Sequence, residues 1–513
     1  MRRRTFVTLT LLSAASMALF AAACQIGSDC DFGRCPGTPF GANGNDGGAE
    51  GSTDAASDVV QPPPGCDPKA EPKDSPKCVD DGYGVFVSKG GGPTAAGTKA
   101  APLSAIAAAV ALAANKGLPR VYVCGPDAFD ETVTINAQVS IYGGFSCADW
   151  APSADRPKLA PAKLGSLPLT LAGAPKDNIV LSDFDVTAPD GDPQANRSSI
   201  AIFVNQLAGA GATFRRLNVA AGLGRPGDDG APGTTMTFAA VPGPGKNGVT
   251  ASDLTGAAAQ VCTCSDGKST TGGKGSATNG ASGDNGAPTI NPPAPPTATG
   301  AGGTTAACIA DGTGIGKNGS AATDAVAAKA ATNLGTLDAT GWKPSDGEPG
   351  VAGAHGQGGG GGGAYTIAGG EGGGGGGGCG GCGGTGGGAG KGGGASIAVL
   401  VLDSPSLSVS ALTLTTKDAG KGGDGAKGGD GDTGGGRGNG FGGFACAGGV
   451  GGKGANGGAG GGAAGGVSGG VIYKGPKPAG DFAWTGPSTK AARGESPGNP
   501  GIEGESAKEL EIK

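Results

Sequence analysis

The tetrapeptide Gly227-Asp228-Asp229-Gly230 sets two carboxylates side by side on a loop. Paired carboxylates are the machinery of glycosidic bond hydrolysis, one as general acid and the other as base or nucleophile. The chain's single imidazole, His355, is followed by Gly356 and lies far downstream inside a glycine tract. Asp183 and Asp185, with Arg215 and Arg216, offer an acidic cluster able to hold calcium and a basic side chain close by. Gly422-Gly423-Asp424-Gly425 and Gly428-Gly429-Asp430-Gly431-Asp432 space their carboxylates much as calcium-binding repeats do, which makes Asp424, Asp430 and Asp432 the candidate metal ligands. Cys379-Gly-Gly-Cys382 has the spacing of half a zinc site or of a redox pair.

Each of these has a plainer reading. Asp-Asp and His-Gly among glycines serve turns and solvation. Asp183, Asp185, Arg215 and Arg216 fall at outward positions of a repeat, where solvated faces carry charge. The glycine-aspartate runs lack the apolar residue that calcium repeats place once per turn. Cys379 and Cys382 have no second such pair and no electropositive surroundings, so a disulfide between them is expected. No catalytic residue and no cofactor is therefore assigned, calcium at the three aspartates being the one candidate. A single histidine excludes a multi-imidazole zinc centre, and a net charge of -6 over 513 residues names no nucleic-acid partner. Neither a phosphate-binding loop nor a nucleophile elbow is present.

The elements that would carry these residues follow a cadence of three and then two: Leu181, Phe184, Val186; Phe214, Leu217, Val219; Val409, Leu412, Leu414. The last two copies are introduced by Ser199-Ile200-Ala201-Ile202-Phe203-Val204 and Ser396-Ile397-Ala398-Val399-Leu400-Val401. Short β-rich pieces also occur at Val121-Tyr122-Val123, Val133-Thr134-Ile135 and Val139-Ser140-Ile141, with connections too brief for crossover helices. Such strands bury one continuous core only by stacking on their neighbours, which is the physics of a β-solenoid. One helical pattern, from about 102 to 116, is ended by Gly117 and is suited to cover an exposed first rung.

Three glycine-rich blocks interrupt the rungs, at about 222–349, 350–394 and 420–470; 114 residues of the chain are glycine. They cannot build a hydrophobic core, which leaves two alternatives: a solvated loop, or extended left-handed helices packed through backbone hydrogen bonds. The Gly-X-Y triplets are too few for collagen.

Arg2, Arg3 and Arg4, an apolar run from Phe6 to Phe20 and the small residues before Cys24 make an export leader. Ala21-Ala22-Ala23-Cys24 resembles the lipobox of bacterial lipoproteins, with Ala21 where leucine is usual; the resemblance implies that Cys24 carries lipid, and Gln25 implies an outer-membrane or surface address. Arg3-Arg4-Thr5-Phe6-Val7 resembles a twin-arginine signal, and an ordinary basic leader reads equally well. Thirteen cysteines less Cys24 leave an even number for an oxidising compartment, and short spacing pairs Cys66 with Cys78 and Cys124 with Cys147.

Gly84-Val85-Phe86-Val87, Gly97-Thr98-Lys99-Ala100-Ala101-Pro102-Leu103, Val121-Tyr122-Val123-Cys124-Gly125, Glu131-Thr132-Val133 and Ser140-Ile141-Tyr142-Gly143-Gly144-Phe145 with Trp150 resemble the N-terminal part of pectin-lyase-like right-handed parallel β-helix proteins. The resemblance covers about a quarter of the chain and implies an all-β, right-handed parallel β-helix with an N-terminal capping helix, interrupted by glycine-rich low-complexity insertions. Asp228-Asp229 and His355-Gly356 resemble two elements of polygalacturonases, whose Asn-Thr-Asp and Arg-X-Lys elements are missing. The glycine-rich remainder is similar in composition to the PGRS class of bacterial surface proteins.

The expected organisation is a leader at 1–23, lipidated Cys24 and a tether over 24–65, β-helix over 66–221, glycine-rich insertions over 222–394, a rung at 395–419, a glycine block at 420–475 and a polar tail at 476–513. The expected function is a non-enzymatic, structural or adhesive lipoprotein of the cell envelope. Its partners would be the outer membrane, through the lipid, and extracellular polysaccharide or other envelope components. The alternative is a polysaccharide lyase or glycoside hydrolase of the same fold; a surface binder of glycans or ice is a third option.

Overall fold

The computed structural model describes residues 60–240, 245–248, 256–277, 281–288, 299–305, 308, 312–364, 372–442 and 445–513. The leader, Cys24 and the tether up to residue 59 lie outside the described residues. In chain order the elements begin with β1 (Gly84–Gly92), α1 (Ile106–Lys116), β2 (Arg120–Cys124), β3 (Ala128–Phe129), β4 (Val133–Ile135), β5 (Ser140–Phe145), β6 (Lys158–Leu159) and β7 (Leu169–Ala172). They continue with β8 (Ile179–Ser182), β9 (Asp185–Thr187), β10 (Ser199–Asn205), β11 (Ala212–Arg215) and β12 (Asn218–Ala220). Two hairpins follow, β13 (Gln260–Thr263) with β14 (Ser269–Gly272) and β15 (Gly335–Asp338) with β16 (Gly341–Pro344). The last are β17 (Ser396–Leu402), β18 (Leu407–Thr415), β19 (Val467–Lys474), β20 (Ala479–Thr485) and β21 (Glu505–Glu511).

The chain is thus mostly β with one α-helix among the described residues, and its two large sheets are parallel. One orders β21-β19-β17-β10-β7-β4; the other runs β1-β2-β5-β8-β11-β18-β12-β9-β6-β3, with β20 beside β18. Because β18 pairs with β11 through its first half and with β12 through its second, the larger sheet folds back on itself and nearly closes. The apolar cadence explains the fold-back. Asp183, Arg216 and Ala411 all have φ between 51° and 58°, at equivalent places after Ser182, Arg215 and Ser410. A single left-handed residue turns the chain and adds one residue to the strand's alternation of two. Leu181, Phe184 and Val186 therefore all enter the core, as do Phe214, Leu217 and Val219 above them. Register stacks like on like: Leu181, Phe214 and Val409 are neighbours, as are Val186, Val219 and Leu414, and Ser199 faces Ser396.

The helix starts at Ile106, four residues later than the sequence suggests, because the Glu131 carboxylate accepts the Ile106 and Ala107 N–H groups at 2.7 and 2.9 Å and sets its N-terminus. Gly117, at φ 67°, ends it, and Leu118 N–H returns to Ala113 O at 2.8 Å. Ile106, Ala109, Val110 and Ala113 face the same core as Val85 and Val121. At the other end of the chain, 476–513 is not a free tail: β20 pairs with β18 and β21 with β19.

The glycine blocks are hydrogen-bonded at every third residue. Gly378, Gly381, Gly384, Gly387 and Gly390 donate to Gly449, Gly452, Ala455, Gly458 and Gly461, and Gly350, Gly353, Gly356 and Gly359 donate to Gly387, Gly384, Gly381 and Gly378. Segments 420–438 and 225–234 join the same 375–394 strand with the same period. Three residues per turn and no internal hydrogen bonds are the signature of left-handed extended helices, in which the donor at each third residue points at the same neighbour. The neighbours approach so closely that a β-carbon on Gly381 would stand 2.1 Å from Asp432 O, and one on Gly387 2.1 Å from Ala426 O. Glycine is required there for space. The first block leaves the β body after β12 and the third after β18, and the segment after β20 joins them through Gly422 N–H to Ala492 O and Gly462 N–H to Asn499 O.

Candidate functional site

Ten cysteines form five disulfides: Cys66–Cys78, Cys124–Cys147, Cys262–Cys379, Cys264–Cys382 and Cys308–Cys446. Five such bonds indicate an oxidising, extracellular environment. The expected Cys379–Cys382 bond is corrected. On a left-handed extended helix, residues three apart are separated by about 9 Å, beyond the roughly 4.4–6.8 Å that a disulfide spans. Both thiols instead point to one side of the glycine strand and take Cys262 and Cys264, which alternation puts on one side of β13 and the turn after it.

The carboxylate doublet does not converge on a common point. Asp228 pairs with Arg197, whereas Asp229 accepts the Asp424 N–H at 2.7 Å. His355 is elsewhere: Gly383 N–H donates to its Nδ1 at 3.0 Å, and its Nε2 faces Asp266 Oδ2 at 3.2 Å. Asp228 O receives Lys391 N–H, so the doublet and the histidine sit eight residues apart along one glycine strand, about 25 Å at ~3.1 Å per residue. Nδ1 accepts, so the neutral ring carries its proton on Nε2 and donates to Asp266. Asp266 is close to the surface, where burial opposes its charge and the Lys268 N–H and His355 more than compensate, holding its carboxyl below the usual range.

The second acidic cluster is saturated with cations. Arg216 holds Asp183 through Nε at 2.7 Å and Nη2 at 2.6 Å, and Asp185 meets Arg156 at 3.6 Å and Asn218 at 2.8 Å. Glu71, unforeseen from sequence, reaches the same place from the loop closed by Cys66–Cys78. It is 8% exposed and is bound by Arg215 at 2.8 Å, Arg216 at 2.5 Å and Lys73 at 3.2 Å. Burial alone would push Glu71 up; the hydrogen bonds from Arg216 and Arg215 outweigh it and hold the group at about 2.

The candidate calcium ligands stand apart. Asp424 bonds Lys421 at 2.9 and 3.1 Å, and that contact holds its carboxyl low. Asp430 bonds Lys427 at 3.0 Å, and Asp432 accepts Thr433 N–H at 2.8 Å. Among the described residues the one three-ligand group is Cys264, Asp266 and His355, and Cys264 is consumed by its disulfide.

A cleft of about 590 Å³ lies where the β15–β16 hairpin leans over the outer face of β10 and β17. Its floor is Ile200, Phe203 and Leu400 with Trp342, and its rim carries Arg197, Lys343, Asp346 and Lys391; Lys391 pairs with Asp346, while Arg197 and Lys343 pair with Asp228 and Asp338 beyond the lining. The cleft therefore sets an apolar floor under a polar rim. Sequence reading missed this cleft because three segments far apart in the chain contribute to it. No helix among the described residues is long and apolar enough to cross a membrane. Comparisons with protein-family models, curated proteins and solved structures return no match.

Proposed function

We propose that this chain is a non-enzymatic, exported cell-envelope protein with a structural or adhesive role, tethered to the outer membrane by lipid on Cys24. In this reading the two parallel sheets are the walls of a right-handed parallel β-helix, α1 is its N-terminal cap, and the glycine blocks are a stiff excrescence of PGRS type on its flank. The observation that carries the reading is the three-residue hydrogen-bond lattice of the glycine blocks, locked by Cys262–Cys379, Cys264–Cys382 and Cys308–Cys446. Bonds that close loops of 117, 118 and 138 residues stabilise an assembly that has almost no side chains to bury. The polar rim of the hairpin cleft supports polysaccharide as the surface partner.

The enzymatic alternative, a lyase or hydrolase of the pectin-lyase-like fold, is favoured by that same cleft. Asp346, the carboxylate that lines it, is paired with Lys391, and Asp228 and Asp338 adjoin it only through their pairs with Arg197 and Lys343, which suits holding a ligand better than exchanging protons with one. Product release from acidic and neutral polysaccharides, with and without calcium, separates the two. No product is expected; product that disappears in Asp228→Asn or Asp346→Asn would reverse the assignment. For the anchor, a globomycin-sensitive mass shift abolished by Cys24→Ser is expected, and an unshifted wild-type chain would remove the lipid from the account.

A further inference from the structure

Five Asn-Gly dipeptides fall within the described residues, at Asn247, Asn285, Asn318, Asn439 and Asn456. Four of them grip the glycine lattice with both residues. Asn318 Oδ1 accepts the Val450 N–H at 3.0 Å while Gly319 N–H donates to Val450 O at 2.8 Å. Asn247 Oδ1 and Gly248 N–H hold the N–H and O of Asn439 in the same way, at 2.9 and 2.7 Å. Asn285 accepts from Gly302 at 2.8 Å and Gly286 donates to Gly300 at 2.8 Å. Asn456 accepts from Gly431 at 2.9 Å and Gly457 donates to Gly429 at 2.8 Å. The remaining dipeptide differs. Asn439 offers only its own main chain, to Asn247 and Gly248, and among the described residues neither its side-chain amide nor the Gly440 N–H has a hydrogen-bond partner.

Exposure does not separate these sites, because Asn247, Asn285, Asn318 and Asn439 are all exposed. The state of the glycine N–H does. Cyclisation of Asn-Gly requires the glycine nitrogen to shed its proton and reach the asparagine Cγ, and glycine has no side chain to obstruct the approach. In the four clamps that N–H is committed to a lattice carbonyl and the carboxamide to a lattice N–H, so both bonds must open first. We propose that Asn439 is a site of spontaneous covalent modification by water. Gly440 N bonds to Asn439 Cγ, the side-chain amide leaves as ammonia with the proton from Gly440, and water opens the resulting succinimide to an aspartyl or an isoaspartyl residue. No oxidant or reductant takes part. The isoaspartyl product lengthens the main chain by one methylene and turns the carbonyl that Gly248 binds into a pendant carboxylate, so modification uncouples 245–248 from the lattice at that point.

The test is incubation of the purified, folded chain at neutral pH in heavy-oxygen water, followed by reduction, tryptic digestion and mass spectrometry with fragment ions that resolve each site. Label is expected to enter at Asn439 about tenfold faster than at Asn247, Asn285, Asn318 or Asn456, the worth of a clamp bond that has to open first. In guanidinium chloride with the disulfides reduced, the five sites should convert at comparable rates. Amide exchange at Gly248 should rise in the converted chain and stay slow in freshly prepared Asn439→Asp, which keeps the ordinary main-chain path. Comparable rates at all five sites in the folded chain, a faster clamped site, or a preference for Asn439 that persists in denaturant would overturn the assignment. Unchanged exchange at Gly248 after conversion would overturn the uncoupling.

Discussion

Replacing Gly387 with alanine is the sharpest perturbation of the glycine lattice. A β-carbon there would meet Ala426 O at 2.1 Å and the carbonyl carbons of Ala426 and Lys427 at 2.8 Å. Relieving the first contact to an ordinary ~3.2 Å requires the 420–438 strand to retreat by roughly 1 Å. That retreat stretches Gly460 N–H to Ala426 O (2.8 Å) and Ala426 N–H to Gly388 O (3.0 Å) past useful length, and it strains Gly387 N–H to Gly458 O (2.9 Å). Two to three bonds at about 1 kcal/mol each, less the ~0.4–1 kcal/mol that alanine gains by restricting the unfolded chain, leave a loss of about 2 kcal/mol. An increase of about 30-fold in the locally open population follows, readable as the rate of native-state thermolysin cleavage within 420–438. Gly90→Ala is the control, since a β-carbon at Gly90 meets nothing within 4 Å. Equal cleavage rates in the two variants would refute the close-packed lattice.

Glu71 makes stability pH-dependent. Its folded value of about 2 lies below the ordinary 4.5, so its contribution is complete above pH 4.5 and is lost as the pH falls toward 2. The shift corresponds to about 3 kcal/mol; Glu71→Gln should therefore lower denaturant stability at pH 7 by up to that amount and match wild type near pH 2, and a pH-independent difference would contradict the clasp. Proteolysis under non-reducing conditions should release Cys379 and Cys382 linked to the peptide that bears Cys262 and Cys264, whereas a Cys379–Cys382 loop peptide would overturn the pairing. Removal of both Cys262–Cys379 and Cys264–Cys382, by serine at all four positions, should cost about 5 kcal/mol, since together they close one loop of 117–118 residues, seen as proteolysis of the glycine segments before the β body; intact segments would show that hydrogen bonds suffice.

The β body was legible because side chains carry its code. Leu181, Phe184 and Val186 repeat in Phe214, Leu217, Val219 and in Val409, Leu412, Leu414, and register brings these rows together in one core. The glycine lattice was legible only as an option. Its bonds are all backbone, glycine offers no apolar face to count, and segments such as 375–394 and 446–464 find each other through backbone hydrogen bonds that sequence spacing does not reveal. Short-range pairing succeeded for Cys66 with Cys78 and Cys124 with Cys147, and the same rule failed at Cys379 because it presumes a compact turn where the chain is extended. The candidate carboxylates were located correctly as outward groups, yet their partners were not foreseeable: Glu71 lies on a loop remote in sequence from Arg215 and Arg216, and the cleft around Trp342 is assembled from β10, β16 and a glycine strand.

The central claim is that the glycine blocks are a hydrogen-bonded lattice of extended helices rather than solvated loops. Residue-resolved hydrogen exchange over 319–331 tests it most directly, because this segment bonds the lattice on a strict count. Gly319, Ala322, Ala325, Ala328 and Ala331 donate to Val450, Lys453, Asn456, Ala459 and Gly462. The account predicts slow exchange at those five amides and fast exchange at Ala321, Thr323, Asp324, Val326 and Ala327, a protection period of three. Uniformly fast exchange across the segment, or protection at every second residue as in a β-strand, would contradict it.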